Sequence, residues 1–356
     1  MNIEEEFLKF AGNATVFPNN KDYTSTYLTF KTKFDTQIHP EVKTKILEIE
    51  KSGYYNDHGV DHIKMVIERA SWILNCLNPV FNKNEDGFFI SPYEIFILLM
   101  SIQLHDTGHL IGSRSDHAKL GKSILAKFDK GDLLSTAEKK IIGDIAQAHG
   151  GKNDPIGKLE IQTNVSHHKI RPQLLAAILR LGDELAEDKT RASTFLQDIN
   201  AIERTSEIFH RYSSSLDSIE LTGKEIILDF YMSDEISTKQ FPKIGISGEI
   251  NQFLIDEIYE RTLKTFSECL YCNRFLPDGC RFTKIKVKVI ILDEHHSNII
   301  TPVSYELIES GYPTILGGNI FEICESLNVG EIKKDGQYIS ILVKEKNGKN
   351  EESVRG

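Results

Sequence analysis

No run in this chain is apolar for long enough to cross a membrane, so a membrane partner is excluded from the reading. The opening residues, MNIEEEFLKF, are acidic and lack the apolar stretch of a secretory signal. Cysteine is scarce and odd in number, five in 356 residues. A disulfide framework is therefore not indicated, and reduced thiols in the cytoplasm are the expectation. Positive charge is in deficit: 42 lysines and arginines stand against 52 acidic residues, for a net charge of -10. That balance disfavours a nucleic-acid partner, although a small anionic substrate needs only a few local cations. Neither a Walker A motif nor a dinucleotide-binding glycine motif is present, and no internal repeat or low-complexity tract interrupts the chain.

What is present is an ordinary globular composition, 40% hydrophobic and 26% charged, over a length that suits two domains or one large one. Residues 40 to 52 and 57 to 76 carry helical periodicity, followed by the loop NPVFNKNEDGFF. Ser91, Pro92 and Glu94 together signal a helix start, with a capping residue, a first-turn proline and a capping-box acid. That helix runs through IFILLMSIQLHD and breaks at Gly108, and another begins near Asp116. Ser135 and Glu138 form a second capping box on a helix that Gly150-Gly151 ends. Pro172 opens the last helix of this half, PQLLAAILRLGDELAED. After about residue 205 the texture changes. SIELTGKEIILDFYM reads as two strands around Thr222-Gly223, KIKVKVII as a half-exposed strand, and YISILVKEK as a third strand candidate. A helix at about 249 to 272 interrupts them, and the tail KEKNGKNEESVRG is expected to be disordered. The predicted fold is mainly α: an all-helical domain over residues 1–205, then a smaller α+β accessory domain over 206–356.

The chemistry concentrates in the helical half. His62 shares a helix face with Val66, Ala70 and Ile73; His105 with Leu98 and Ile102; Asp183 with Ala176 and Leu179. A carboxylate on an apolar stripe is costly unless its charge is compensated. Two histidines and two carboxylates converging from three helices suit a divalent cation. Adjacent residues on a helix point about 100° apart. His105 and Asp106 can therefore share one ion only where it sits beside the helix end, which Gly108 leaves open.

These residues carry a resemblance. His58-Gly-Val-Asp-His62-Ile-Lys-Met-Val66, the segment LHDTGH over 104–109, and LLAAILRLGDELAED resemble, in order, the three motifs of the HD superfamily of metal-dependent phosphohydrolases, over about residues 50 to 195. The resemblance implies that His62, His105, Asp106 and Asp183 are the first metal ligands. His117-Ala-Lys-Leu-Gly121 looks like the H-x-x-x-G helix start of two-metal members, with His149 as another ligand and Asp106 then bridging both ions. One or two divalent ions are expected; Mn, Mg, Fe, Ni, Co and Zn are not distinguished. The sequence lacks the glycine-tyrosine-proline motif of the cyclic-di-GMP phosphodiesterase branch. It also lacks the proline-rich segment that follows HD in many deoxynucleotide triphosphohydrolases. LRLGDEL…R is closer to poorly characterised bacterial HD proteins.

The implied reaction is hydrolysis at phosphorus in a small phosphorylated substrate, a nucleotide in the first instance. Asp106, His58 and Arg191 are the candidate catalytic residues; relatives often carry an arginine after the DEL segment. Lys64, His109, His168 and Arg171 are candidate substrate contacts, and Arg180 and His167 lie nearby in sequence. Each of these histidines and arginines has a plainer reading as a satisfied core residue, cap or ion-pair partner. A nuclease acting on single strands and a non-catalytic nucleotide sensor are the alternatives. The α+β part can serve as a homo-oligomer interface, a substrate lid or a partner site. Cys269-x-x-Cys272 with Cys280, and His295-His296 nearby, has zinc-like spacing. Both first cysteines fall inside an amphipathic helix, which favours buried thiols.

Overall fold

A computed structural model describes residues 2–49, 59–81, 90–112, 116–187, 203–245, 248–278, 280–310 and 319–355. Its contacts divide the chain into two compact units. The first comprises Met1–Ile49, Asp57–Ala186 and Tyr271–Arg281, and the second the rest of the chain. The fold is mainly α, a helical first half followed by a smaller α+β part.

In the first unit the helices are α1 (Ile3–Leu8), α2 (Tyr23–Lys33), α3 (His39–Ile49), α4 (Val60–Phe81), α5 (Pro92–Leu104), α6 (His117–Phe128), α7 (Thr136–Gln147) and α8 (Pro172–Glu184). A π-turn over Phe34–Ile38 joins α2 to α3, a 3-10 turn over Thr107–Leu110 follows α5, and a short hairpin, β1 (Thr163–Val165) with β2 (His168–Ile170), precedes α8. Helix α5 is the hub. Every residue from Tyr93 to Leu104 is buried, so it is covered on all sides, as an all-round apolar helix must be. Both predicted capping boxes form, Ser91 with Glu94 on α5 and Ser135 with Glu138 on α7.

Buried polar contacts set the direction of three helices. Arg171, the N-cap residue of α8, grips Glu94 in the first turn of α5, with Nε to Oε1 and Nη2 to Oε2 both at 2.8 Å. Glu138 in the first turn of α7 accepts from Tyr93 at the start of α5 (2.9 Å) and from Tyr23 of α2. The starts of α5, α7 and α8 are thus tied together, and the three helices run side by side in the same sense.

In the second unit, α9 (Glu207–Ser215) leads into a four-stranded sheet ordered β3-β4-β7-β8: Leu216–Thr222, Glu225–Ser233, Lys284–Leu292 and Val303–Ile308. β4 and β7 pair in parallel and the other neighbours are antiparallel. Between β4 and β7 lie α10 (Asp234–Thr238), the hairpin of β5 (Gln240–Gly245) and β6 (Gly248–Phe253), and α11 (Leu254–Asn273). The last three residues of α11 belong to the first unit. α12 (Ile320–Ile323), the two-residue pair β9 (Asn328–Val329) and β10 (Ile332–Lys333), and α13 (Gly336–Arg355) complete the chain. Lys284 and Lys286 of the alternating strand face Glu225 and Glu306, so that run is a charge-paired sheet face.

Three expectations are overturned here. YISILVKEK is helical, part of α13, which continues to Arg355 through the tail expected to be disordered. Gly336, Ile339, Ser340 and Val343 are the buried positions, a helical spacing, and Asp335 caps the start by accepting from Tyr338 N at 2.9 Å. The β-branched residues pointed to a strand, and burial on one helical face outweighs that preference. The helix expected at 249 to 272 starts later, because Gly248–Phe253 pairs as β6.

Candidate metal centre

The tied helix starts place the helix ends together. From Glu94 along α5 to Asp106 just past its end, and from Arg171 at the cap of α8 to Asp183, the spans are equal, about 18 Å each at helical rise. Asp183 therefore arrives level with His105 and Asp106. His149 follows the end of α7 directly. A helix C-terminus carries a partial negative charge, so three converging C-terminal ends favour a cation before any side chain is counted. His62 comes from the opposite direction, on the first turn of α4, with Val66, Ala70 and Ile73 of the same face fully buried.

Glycines permit the close approaches. A Cβ on Gly182 would stand 3.3 Å from Ala70 N and 3.5 Å from Val66 O, so α8 packs on the backbone of α4 and brings Asp183 to His62. A Cβ on Gly108 would stand 1.9 Å from the carbonyl oxygen of His117. Gly121 packs on the end of α5, where a Cβ would meet Leu104 O at 3.1 Å. The two glycines that follow His105-Asp106 and His117 thus seat the start of α6 over Asp106.

The six side chains meet. His62 Nε2 is 3.2 Å from Asp183 Oδ1 and 3.5 Å from Asp106 Oδ2, and His105 Nε2 is 3.2 Å from Asp106 Oδ2 and 3.6 Å from Asp183 Oδ1. Asp106 Oδ1 faces the other way, 3.5 Å from His117 Nε2 and 3.6 Å from His149 Nε2, which are 3.0 Å from each other. Among the described residues, two sets of three can hold a metal ion: His62, His105 and Asp183, and Asp106, His117 and His149. Within each set the ligand atoms lie within 4.8 Å of one another.

The ring nitrogens are arranged for ligation. His105 Nδ1 donates to Ile102 O at 2.7 Å and His149 Nδ1 to Ala146 O at 2.5 Å, which turns each Nε2 toward the cluster. His105 Nε2 is fully buried and makes no hydrogen bond of normal geometry, the condition of a lone pair awaiting a cation. Burial works to lower the pKa of His105, but the carboxylates of Asp106 and Asp183 hold it well above the ordinary histidine value. Burial likewise works to raise Asp183, yet the close ring nitrogens of His105 and His62 and their charge hold it well below the usual carboxylate range. His149 is pushed down to about 4, by burial first and then by the charge of His105. The donor set, imidazole nitrogens with carboxylate oxygens in a buried cluster, fits a divalent ion.

The other predicted site residues lie elsewhere or stand behind the cluster. His109 is buried with its ring stacked on that of His117, 4.1 Å between centroids and 10° between planes, so it braces a ligand. Lys64 is exposed and pairs with Asp61 at 3.0 Å. Arg171 grips Glu94 at the far ends of α8 and α5 and acts as a tie between helices. His168 stands edge-on to Tyr93 at that same end, 5.7 Å between centroids. His58 and Arg191 lie outside the described residues. Cys269, Cys272 and Cys280 are buried cysteines that form no disulfide.

Sequence reasoning missed two residues near the cluster. His39, buried on the first turn of α3, accepts no motif; its Nε2 donates to Gln103 Oε1 at 2.8 Å, two residues before His105, and its ring stacks on Phe34. Arg69, one turn after Val66, donates from Nε to Leu185 O at 3.1 Å and closes the end of α8 just beyond Asp183. A buried arginine on an otherwise apolar helix face was the available signal.

A family model, HD-CE, matches residues 52–262 of the chain. None of the curated proteins matches it.

Proposed function

The chain belongs to the HD-CE family, and from that premise we propose that it is a phosphohydrolase using two divalent ions. The observation that carries this reading is the orientation of Asp106. One carboxylate oxygen faces His62 and His105, and the other faces His117 and His149. A carboxylate placed between two imidazole pairs is suited to bridge two cations. His62, His105 and Asp183 would hold one ion; His117 and His149 would hold the other.

Divalent ions held there supply Lewis acidity, which activates water at neutral pH and draws charge from a phosphoryl oxygen. The chain supplies the rest. Asp106 and Asp183 fix the negative charge that keeps the ions in place. Ile102 and Ala146 fix two of the imidazole rings through their carbonyls. Solvent reaches the cluster at Asp183 and His117, which are partly exposed, while His62 and His105 are buried.

The substrate on this reading is a small phosphorylated molecule, a nucleotide in the first instance. The test incubates wild type and Asp106→Ala with a panel of nucleotides and oligonucleotides in Mn, Mg, Ni and Co, and resolves the products by mass. Cleavage of a mononucleotide by wild type and none by the variant is expected. Metal uptake with no cleavage of any phosphoester would point to a binding module, and cleavage of oligonucleotides alone to a nuclease.

A further inference from the structure

Three arginines flank the last helix of the HD region, and their placement separates them. Arg171 stands at the far end of α8, on Glu94. Arg191 lies outside the described residues. Arg180 stands one turn before Asp183 and leaves α8 on nearly the same side. Its Nη1 is 3.4 Å from the carbonyl oxygen of Ala148, the residue before His149. Its guanidinium lies over the ring of Tyr271, 4.8 Å from the centroid. A permanent positive charge with a planar fork of donors is thereby held beside the His149 end of the cluster. Solvent reaches the cluster at Asp183 and His117, whose side chains are 26% and 17% exposed, against 0% for His62 and His105.

Tyr271 is itself fixed. Its hydroxyl accepts from Ile156 N at 2.9 Å and donates to Asp154 Oδ1 at 3.0 Å. Asp154 also receives both arms of Arg274, at 3.1 and 3.0 Å. These bonds hold the loop that follows His149, in which Gly151, Asn153 and Asp154 all have positive φ (91°, 64° and 56°). Asn and Asp take that conformation more readily than other non-glycine residues, and the bonds to Asp154 fix it here. Residues from far along the chain therefore hold both the loop after a ligand histidine and the arginine beside it.

We propose that Arg180 is the phosphate-binding cation of this site, taking a phosphoryl oxygen of the substrate on the His117–His149 side, with Tyr271 as the positioning residue that holds its guanidinium there. The proposal rests on the phosphohydrolase reading above. An arginine that merely closed the end of α7 would act on fold stability and metal affinity. A phosphate-binding arginine acts on anion affinity with the metal centre intact.

The probe is inorganic phosphate, titrated calorimetrically into the full-length protein loaded with Mn, alongside Mn affinity and thermal melting of each variant. Arg180→Gln is expected to weaken phosphate binding at least tenfold with Mn affinity within twofold of wild type. Tyr271→Ala is expected to weaken it several-fold, and Tyr271→Phe, which keeps the ring under the guanidinium but loses the hydroxyl's bonds to Ile156 and Asp154, to weaken it less than Tyr271→Ala does. If Arg180→Gln does not fold, Arg180→Lys carries the test, since an ammonium lacks the fork, and a loss of at least threefold is expected. Phosphate affinity unmoved by the Arg180 variant, or no phosphate binding by Mn-loaded wild type, overturns the proposal alone. Failure of wild type to take up Mn overturns the metal reading and this proposal with it.

Discussion

Replacing Gly108 by alanine isolates one half of the proposed metal centre. The backbone at this position is not in the left-handed region, so alanine meets no conformational bar; the obstacle is space. Its Cβ would stand 1.9 Å from His117 O, 2.7 Å from His117 C and 3.0 Å from His117 Cα, all backbone atoms at the start of α6. Relief to an ordinary contact requires a displacement of about 1 Å or more, because a close-packed interior offers no slack to absorb the methyl. Metal–ligand distances tolerate only about 0.2 Å. The shift therefore takes His117 out of reach of an ion shared with Asp106 and His149. His62 and Asp183 stand on α4 and α8 and His105 caps the end of α5, so none of them is carried by α6. Gly108→Ala is thus expected to bind one divalent ion per chain where wild type, on the proposed reading, binds two, at a stability cost of about 1–3 kcal/mol. Metal content by mass spectrometry after desalting, together with Mn titration, measures the first; urea denaturation measures the second. A variant that holds two ions with wild-type affinity would refute the steric reasoning.

Arg171→Ala leaves Glu94, whose side chain is 4% exposed, without its guanidinium partner. The expected loss is about 3–5 kcal/mol in urea denaturation, and a loss below about 1 kcal/mol would contradict the role of this pair as the tie between α5 and α8. His39 supplies a pH signature. Burial lowers its pKa to about 4 in the folded protein, from about 6.5 unfolded, so the unfolded chain binds the extra proton between these values. Stability is accordingly lost as pH falls from about 6.5 to about 4, by about 3 kcal/mol for this group. His39→Gln should change the difference in stability from wild type by that amount across the window, and a constant offset would show that His39 does not titrate as inferred.

Much of the HD region was legible because its signals are local. A capping box needs only Ser91, Pro92 and Glu94, or Ser135 and Glu138, and both formed as read. The apolar stripes that carry His62, His105 and Asp183 pointed to a shared cation, and the resemblance to the HD superfamily added His117 and His149. The strand expected at 338–346 went wrong for the complementary reason: Ile339 and Val343 have side chains that suit either structure, and which face is buried is settled by neighbours distant in sequence. Lys64 and Arg171 show the same limit. Each lies close to a motif in sequence, yet one faces solvent and the other sits a full helix length from Asp183.

By itself, then, the sequence determined the helical periods, the helix ends and the inventory of imidazoles and carboxylates, since those depend on residues within a few positions of each other. Tertiary structure alone decided that α5, α7 and α8 run in the same sense, that Gly108 and Gly182 let backbones touch, and that Tyr271 comes to lie under Arg180. Those outcomes depend on contacts between residues scores of positions apart, whose free energy of packing is a sum over many partners and leaves no mark in any single stretch of chain.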